Sequence, residues 1–394
     1  MNNEINTSEL TPEETFPKEE MWTYQIEGLA APNIGRAYKN YTLKKVILAV
    51  VIVAAVSLSI FFSVQIVNRE AFEYQPLENG TVELIRFGNP VNCSELTIDY
   101  YTEIEYKNSD NNDAYEFIKD KSRPVSIIHE YAFNCDEKIQ VINIGADVEQ
   151  IDGKSFYTCK NLQAIYVDEK NEHFCDIDGV LYTKDLSTVI CYPIAHDVLL
   201  REKTGYKEEV QPEDKNYNEY RKDVLTYVLP SQTQTIGKLC FNYSKVKDIY
   251  LPEGLKRIET LAFFKTYTLA KIYSYKGTGN TLTNADAVKN MEEIYNSLPE
   301  GLAFIGSDAF AYNYDMDYMF IPESVTEIGH HAFWETAYKE NGEIKGVSIM
   351  HVALDEESFD KQVKAGDQWK SQYDNGAFRK TVSTQYGASR QAIK

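Results

Sequence analysis

Hydrophobic positions along this chain obey two different rules. Residues 46–68, VILAVVIVAAVSLSIFFSVQIVN, run for 23 positions without a charge. At about 1.5 Å per residue such a helix crosses a hydrocarbon core of roughly 30 Å. It is apolar on every face, unlike a helix buried on one side. Beyond it the apolar positions become sparse and periodic. The pattern Ile-x-x-x-small-Phe occurs six times: Ile128 with Ala132-Phe133, Ile151 with Ser155-Phe156, Ile236 with Cys240-Phe241, Ile258 with Ala262-Phe263, Ile305 with Ala309-Phe310, and Ile328 with Ala332-Phe333. The Ile positions lie 23, 85, 22, 47 and 23 residues apart, which gives a unit of 22–23 residues with two interrupted intervals. A period of this size predicts a solenoid, because no single coil can bury such a set alone.

A second set keeps register with the first. The runs Ile142-Asn143-Ile144, Ile165-Tyr166-Val167, Ile249-Tyr250-Leu251, Ile272-Tyr273 and Met319-Phe320-Ile321 predict short strands that point in, out, in. Proline follows the strand end at Leu229-Pro230, Leu251-Pro252, Leu298-Pro299 and Ile321-Pro322. It stops the strand because it cannot donate to the ladder. Three segments depart from the pattern. Residues 200–223 are charged and tyrosine-rich, so a loop or irregular excursion is expected there in place of a coil. Residues 283–298 read as a helix. Thr283 or Asn284 caps it, Val288, Met291, Tyr295 and Leu298 share one face, and Pro299 stops it. Residues 354–373 read as a helical cap presenting Phe359, Val363, Trp369 and Tyr373, with a loose polar tail after Lys380.

These residues resemble the BspA-like leucine-rich repeats of bacterial surface proteins, over roughly residues 72–350. Arrays of that family often open like Tyr74-x-x-Leu77-x-x-Gly80-x-Val82, followed by a strand like Leu96-Thr97-Ile98. They also carry an interruption like Asn171…Phe174…Asp178-Gly179-Val180-Leu181-Tyr182 and then Val189-Ile190-Cys191-Tyr192-Pro193, which reads as a hairpin closed by Lys184-Asp185. The resemblance implies a leucine-rich repeat solenoid, β-rich with short strands, turns and short helical segments, and the uncharged run at 46–68 puts one transmembrane helix before it. Residues 1–45 are then a mostly disordered cytoplasmic segment and 46–68 the span. Residues 69–124 form a juxtamembrane region and N-terminal cap. The repeats occupy 125–353, with the hairpin at 171–193 and insertions at 200–223 and 283–298, and a helical cap and tail fill 354–394. Arg36, Lys39, Lys44 and Lys45 precede the span, whereas Glu70, Glu73, Glu78 and Glu83 crowd the stretch after it beside Arg69 and Arg86. That asymmetry puts the N-terminus in the cytoplasm and the repeats outside.

The formal charge of −20 sets nucleic acid aside as a partner. An even number of cysteines outside the cell would suit disulfides. Three of the six, Cys135, Cys159 and Cys240, instead hold coil-turn positions that bury a small apolar residue, so free buried thiols are expected. There is no Cys-x-x-Cys pair, no His-Glu-x-x-His, no Gly-x-Ser-x-Gly and no phosphate-binding glycine loop. Asp110-Asn111-Asn112-Asp113 lacks the glycine and distal glutamate of a calcium loop and reads as a polar surface loop. His330-His331 reads as structural. No enzyme, cofactor or metal is therefore expected. The middle residues of successive strands, Asn143, Tyr166, Val228, Tyr250, Tyr273 and Phe320, are expected to stack about 4.8 Å apart where copies adjoin. They would form an exposed, aromatic-rich column that is the candidate ligand-binding face. The function expected is that of a membrane-anchored cell-surface protein mediating protein or glycan contact, in adhesion or surface recognition. The alternative is a transmembrane sensor that passes binding outside to the cytoplasmic N-terminal segment.

Overall fold

The computed structural model describes residues 72–89, 91–106, 115–133, 137–277, 291–340, 343–370, 372–374 and 379–393. The expected span at 46–68, the segment before it, Asp110–Asp113 and Cys135 lie outside the described residues. Among the described residues no helix is long and apolar enough to cross a membrane.

Five of the six repeats lay a two-residue strand at their Ile and a longer strand on the opposite side of the coil. The short strands Thr235–Ile236, Arg257–Ile258, Phe304–Ile305, Glu327–Ile328 and Lys364–Ala365 pair in parallel, coil on coil. Three residues after each of these strands the backbone turns left-handed, at Leu239, Leu261, Asp308, His331 and Gln368, with φ between 51° and 62°. That conformation strains a residue with a Cβ. It recurs because the turn docks onto the next coil through backbone bonds. Phe241 N, Phe263 N and Phe310 N donate to Ala262 O, Ala309 O and Ala332 O, each at 2.7 Å.

The turn delivers the repeat phenylalanines into the core as a stack. Phe241, Phe263, Phe310 and Phe333 follow one another at 5.0, 5.1 and 5.2 Å between centroids, with planes within 9° of parallel. Phe133 and Phe156 stack in the same way at 5.7 Å. Tyr192 takes the phenylalanine's place at the interruption, 5.1 Å from Phe241. Trp369 closes the far end against Phe333 and Phe359. Each such pair adds about 0.5–1.5 kcal/mol beyond the area it buries.

The longer strands form three separate sheets. Glu95–Ile98, Val141–Ile144 and Ala164–Val167 are parallel neighbours. Thr226–Val228, Asp248–Pro252 and Lys271–Gly277 make the second set. Met319–Ile321, Ile349–Val352 and Ser383–Gln385 make the third. The first two sets are parted by the interruption. Its strands Phe174–Ile177, Val180–Thr183 and Thr188–Cys191 run antiparallel, and the last of them joins Thr235–Ile236. At the N-terminal end Phe72–Pro76, Val82–Phe87 and Tyr100–Tyr106 gather on the 14-residue strand Tyr115–Ile128. That strand continues into the first coil and pairs with Gln150–Ile151.

Four expectations are corrected. Residues 200–223 are a loop only over 205–216, which joins a helical pair, α1 (His196–Thr204) and α2 (Tyr217–Val224). Tyr220 and Val224, four apart, give α2 a buried face that its charges disguise. Arg221 forks onto Asp248 at 2.5 and 2.6 Å and ties α2 to the second sheet. The helix expected over 283–298 is, where described, the strand Met291–Tyr295, antiparallel to Lys271–Gly277. The open edge of that neighbour needs partners for its amides and carbonyls, and this demand outweighs the helical spacing of Met291, Tyr295 and Leu298. The helical cap over 354–373 shrinks to α3 (Glu356–Gln362), capped by Asp355, which accepts from Ser358 N at 2.9 Å. Lys364–Ala365 then begins a further coil, with Ala365 where the repeat has Ile and Trp369 at the small position. The tail is not loose either. Ser383–Gln385 joins the third sheet, Ala392 bridges to Tyr295, and Arg390 lies 3.8 Å over the Tyr295 ring.

Among the described cysteines, Cys175, Cys191 and Cys240 are free thiols. Burial pushes the Cys191 thiol up to about 12.

Candidate recognition cleft

The six residues expected to form one column fall on three sheets. Asn143 and Tyr166 are direct neighbours in the first, in register with Thr97. Val228, Tyr250 and Tyr273 are aligned in the second. Phe320 stands in the third, opposite His351. Only part of the set is exposed. Tyr166 is 36% exposed, but Val228 and Phe320 are buried at 8% and 1%.

The difference comes from the segments that the chain lays against each sheet. In the second, Met291–Tyr295 brings Met291 and Ile294 against Val228 and Tyr275, with Tyr250 and Tyr273 packed alongside. Tyr250 and Tyr273 lie 4.7 Å apart, and burial raises the hydroxyl pKa of both. Tyr275 reaches through to donate to Leu229 O at 2.7 Å. This outer face is a small second core. Phe320 is buried as well, on a strand flanked by residues 296–298, where Leu298 N donates to Phe320 O, and by Ile349–Val352.

The first sheet stays open. Asn143 and Tyr166 border a cleft of about 310 Å³ whose wall includes Tyr100, Asp99, Asp147 and Asp168. Asp99 and Asp168 come directly after their strands and flank Gly145 in the coil between. Gly145 is required there, since a Cβ would stand 2.8 Å from Asp99 Cα. The buried Asn171 fixes the turn that carries Asp147. Its Nδ2 donates to Gly145 O and Val148 O at 2.8 and 2.9 Å, while its Oδ1 accepts from His173 N and Phe174 N. Lys119 holds Asp99 at 2.8 Å, Lys170 N donates to Asp168 at 2.9 Å, and Asn143 donates to Glu95 at 2.8 Å. The result is an aromatic and amide floor beside a carboxylate rim, suited to a hydroxyl-rich or cationic group. Among the described residues no three His, Cys, Asp or Glu side chains are placed to hold a metal ion.

The aspartates were missed in the sequence, although a signal was there. The position after the strand is Asp99, Gly145 and Asp168 in the early coils, and Pro230, Pro252 and Pro322 in later ones.

The repeats can be placed among known proteins. The model of the BspA type leucine-rich repeat region matches six copies, over residues 86–178 and 216–340, which is more than half of the chain. The chain belongs to this family. No curated protein sequence matches it. Solved structures similar to this BspA type chain include a leucine-rich repeat protein from Eubacterium ventriosum, 14% identical, with TM-score 0.36 over 58% of this chain and 48% of that one. The pneumococcal vaccine antigen PcpA is 13% identical, with TM-score 0.32 over 80% and 91%. A leucine-rich repeat protein from Bacteroides ovatus is 17% identical, with TM-score 0.30 over 75% and 66%. The chain spans about half the length of the first of these. Like other BspA type arrays it is a β-rich repeat protein with few helices, and its family is consistent with a cell-surface repeat protein.

Proposed function

We propose that this chain is a membrane-anchored surface protein that recognises an extracellular protein or glycan through the cleft at Asn143 and Tyr166. One observation carries the reading. An exposed tyrosine and an amide side chain adjoin three aspartates at the place where other coils of the same array close their strands with proline. Tyrosine gives rigid contact area at little entropic cost, and the carboxylates with a chain charge of −20 favour a neutral or basic partner. The uncharged run at 46–68 supplies the anchor, and the basic residues before it orient the repeats outward.

The test uses intact cells carrying the full chain with a tag at each end. Added protease should remove the C-terminal tag and spare the N-terminal one. The cells should adhere to at least one of a set of immobilised matrix proteins and cell-wall glycans. Tyr166→Ser combined with Asp168→Asn should weaken that adhesion at least about tenfold, a loss of roughly 1.4 kcal/mol. A protected C-terminal tag, or adhesion that survives both substitutions, contradicts the reading.

A further inference from the structure

A second aromatic surface lies at the coil turns, away from the long-strand sheets. In four successive coils the residue two places after the repeat phenylalanine is again left-handed: Tyr243, Lys265, Tyr312 and Glu335, with φ of 57°, 56°, 65° and 51°. Backbone bonds run along this edge, from Tyr243 N to Phe264 O and from Lys265 N to Ala311 O. The turns therefore carry their side chains outward in a row. Phe264 and Tyr312 meet edge to face at 5.6 Å, and Tyr267 and Tyr314 lie parallel at 5.6 Å. Tyr243 touches both Phe264 and Tyr267, at 6.4 and 6.3 Å. The Lys265 ammonium sits over the faces of Tyr243, Phe264 and Tyr312 at 5.6, 5.2 and 5.5 Å. Tyr243 and Tyr267 remain 37% and 42% exposed.

We propose that this row of five rings binds a short, neutral, linear glycan. Its size argues for a small occupant. With aromatic side chains of roughly 150–250 Å² each, two rings about two-fifths exposed and three less so present on the order of 300 Å². A stable protein interface needs about 800 Å² on each partner, whereas a patch of a few hundred Å² suits a few sugar rings. Its chemistry points the same way. The row combines aromatic rings with the phenolic hydroxyls of four tyrosines, matching a pyranose with its C–H face and hydroxyl edge. Sugar C–H groups carry partial positive charge and pack on electron-rich ring faces, as the Lys265 ammonium already does. Its spacing fits a polymer, because rings on neighbouring coils repeat at 5.6 Å, close to one sugar along an extended chain. Its charge excludes a polyanion, since one ammonium stands on a chain of −20.

Titration calorimetry on the full chain in detergent tests the proposal, with cellohexaose, mannohexaose and N-acetylchitohexaose as probes and a hyaluronan hexasaccharide as the acidic comparison. At least one neutral hexasaccharide should bind saturably and more tightly than hyaluronan. Tyr243→Ala with Tyr267→Ala should weaken that binding roughly tenfold, about 1.4 kcal/mol, with the unfolding midpoint unchanged. Should the double variant lower the midpoint, Tyr267→Ala alone, the most exposed of the rings, should still weaken binding about threefold. Tyr166→Ser in the cleft should leave it as it was. Failure of every neutral probe, tighter binding of hyaluronan, or wild-type affinity in the tyrosine variants overturns the proposal.

Discussion

The first and second long-strand sheets are built from the same repeat, yet one outer face is open and the other is a core. Asn143 and Tyr166 stand over strands that end in Asp99, Gly145 and Asp168. Val228, Tyr250 and Tyr273 stand over strands of which two end at Pro230 and Pro252, and they are roofed by Met291 and Ile294. The difference shows that the inward side of a coil and its outward side answer to different constraints. Inward residues must match their neighbours above and below, so they repeat. Outward residues answer to whatever the chain lays beside them, and the insertions differ from coil to coil.

Beneath both sheets the phenylalanine stack is the same, so damage there should not distinguish them. Phe156→Ala under the first sheet and Phe263→Ala under the second should each cost about 3–5 kcal/mol, read as loss of unfolding free energy in denaturant. A marked inequality between the two would break the premise of a shared scaffold.

The junction between the sheets should respond to pH. His196 on α1 is buried, with Nδ1 2.8 Å from Gln163 O and its ring 4.8 Å from Tyr192. Burial lowers its pKa to about 4. Between about 4 and the ordinary value near 6.5, the unfolded chain holds a proton that the folded chain does not. Stability from this group is therefore complete above about 6.5 and is lost as the pH falls through that window, by up to about 3 kcal/mol. The neighbouring Asp197, raised by burial, works in the opposite direction. Thermal scans of the wild type against His196→Gln isolate the histidine, and the variant's dependence on pH should be flatter. Parallel curves for the two proteins would remove His196 from the account.

Much of this architecture is legible in the residues. The Ile and Phe positions announce the coils, and the alternating runs announce the strands, because both sets must fit a repeating neighbour. The further coil at Lys364–Ala365 escaped notice because Ala365 and Trp369 exchange the sizes that the pattern leads one to seek. Met291–Tyr295 escaped because a sheet edge, rather than its own periodicity, decides its conformation. The candidate site was half visible. Asn143 and Tyr166 emerge from alternation, but Asp99 and Asp168 come from the position after the strand, and Asp147 from a turn that Asn171 of the next coil holds. The burial of Val228 could not be read, since it depends on Met291 and Ile294, which lie outside the repeat.

The division between an open and a covered face is tested most directly by comparing the unfolding free energies of Tyr166→Ser and Tyr250→Ser. Tyr250 packs on Tyr273 within the small outer core, so its loss should cost about 1–3 kcal/mol. Tyr166 is exposed, and its replacement should stay within about 0.5 kcal/mol of the wild type. Equal losses for the two, or a larger loss at Tyr166, would contradict the account, because the cleft tyrosine would then be scaffold as well.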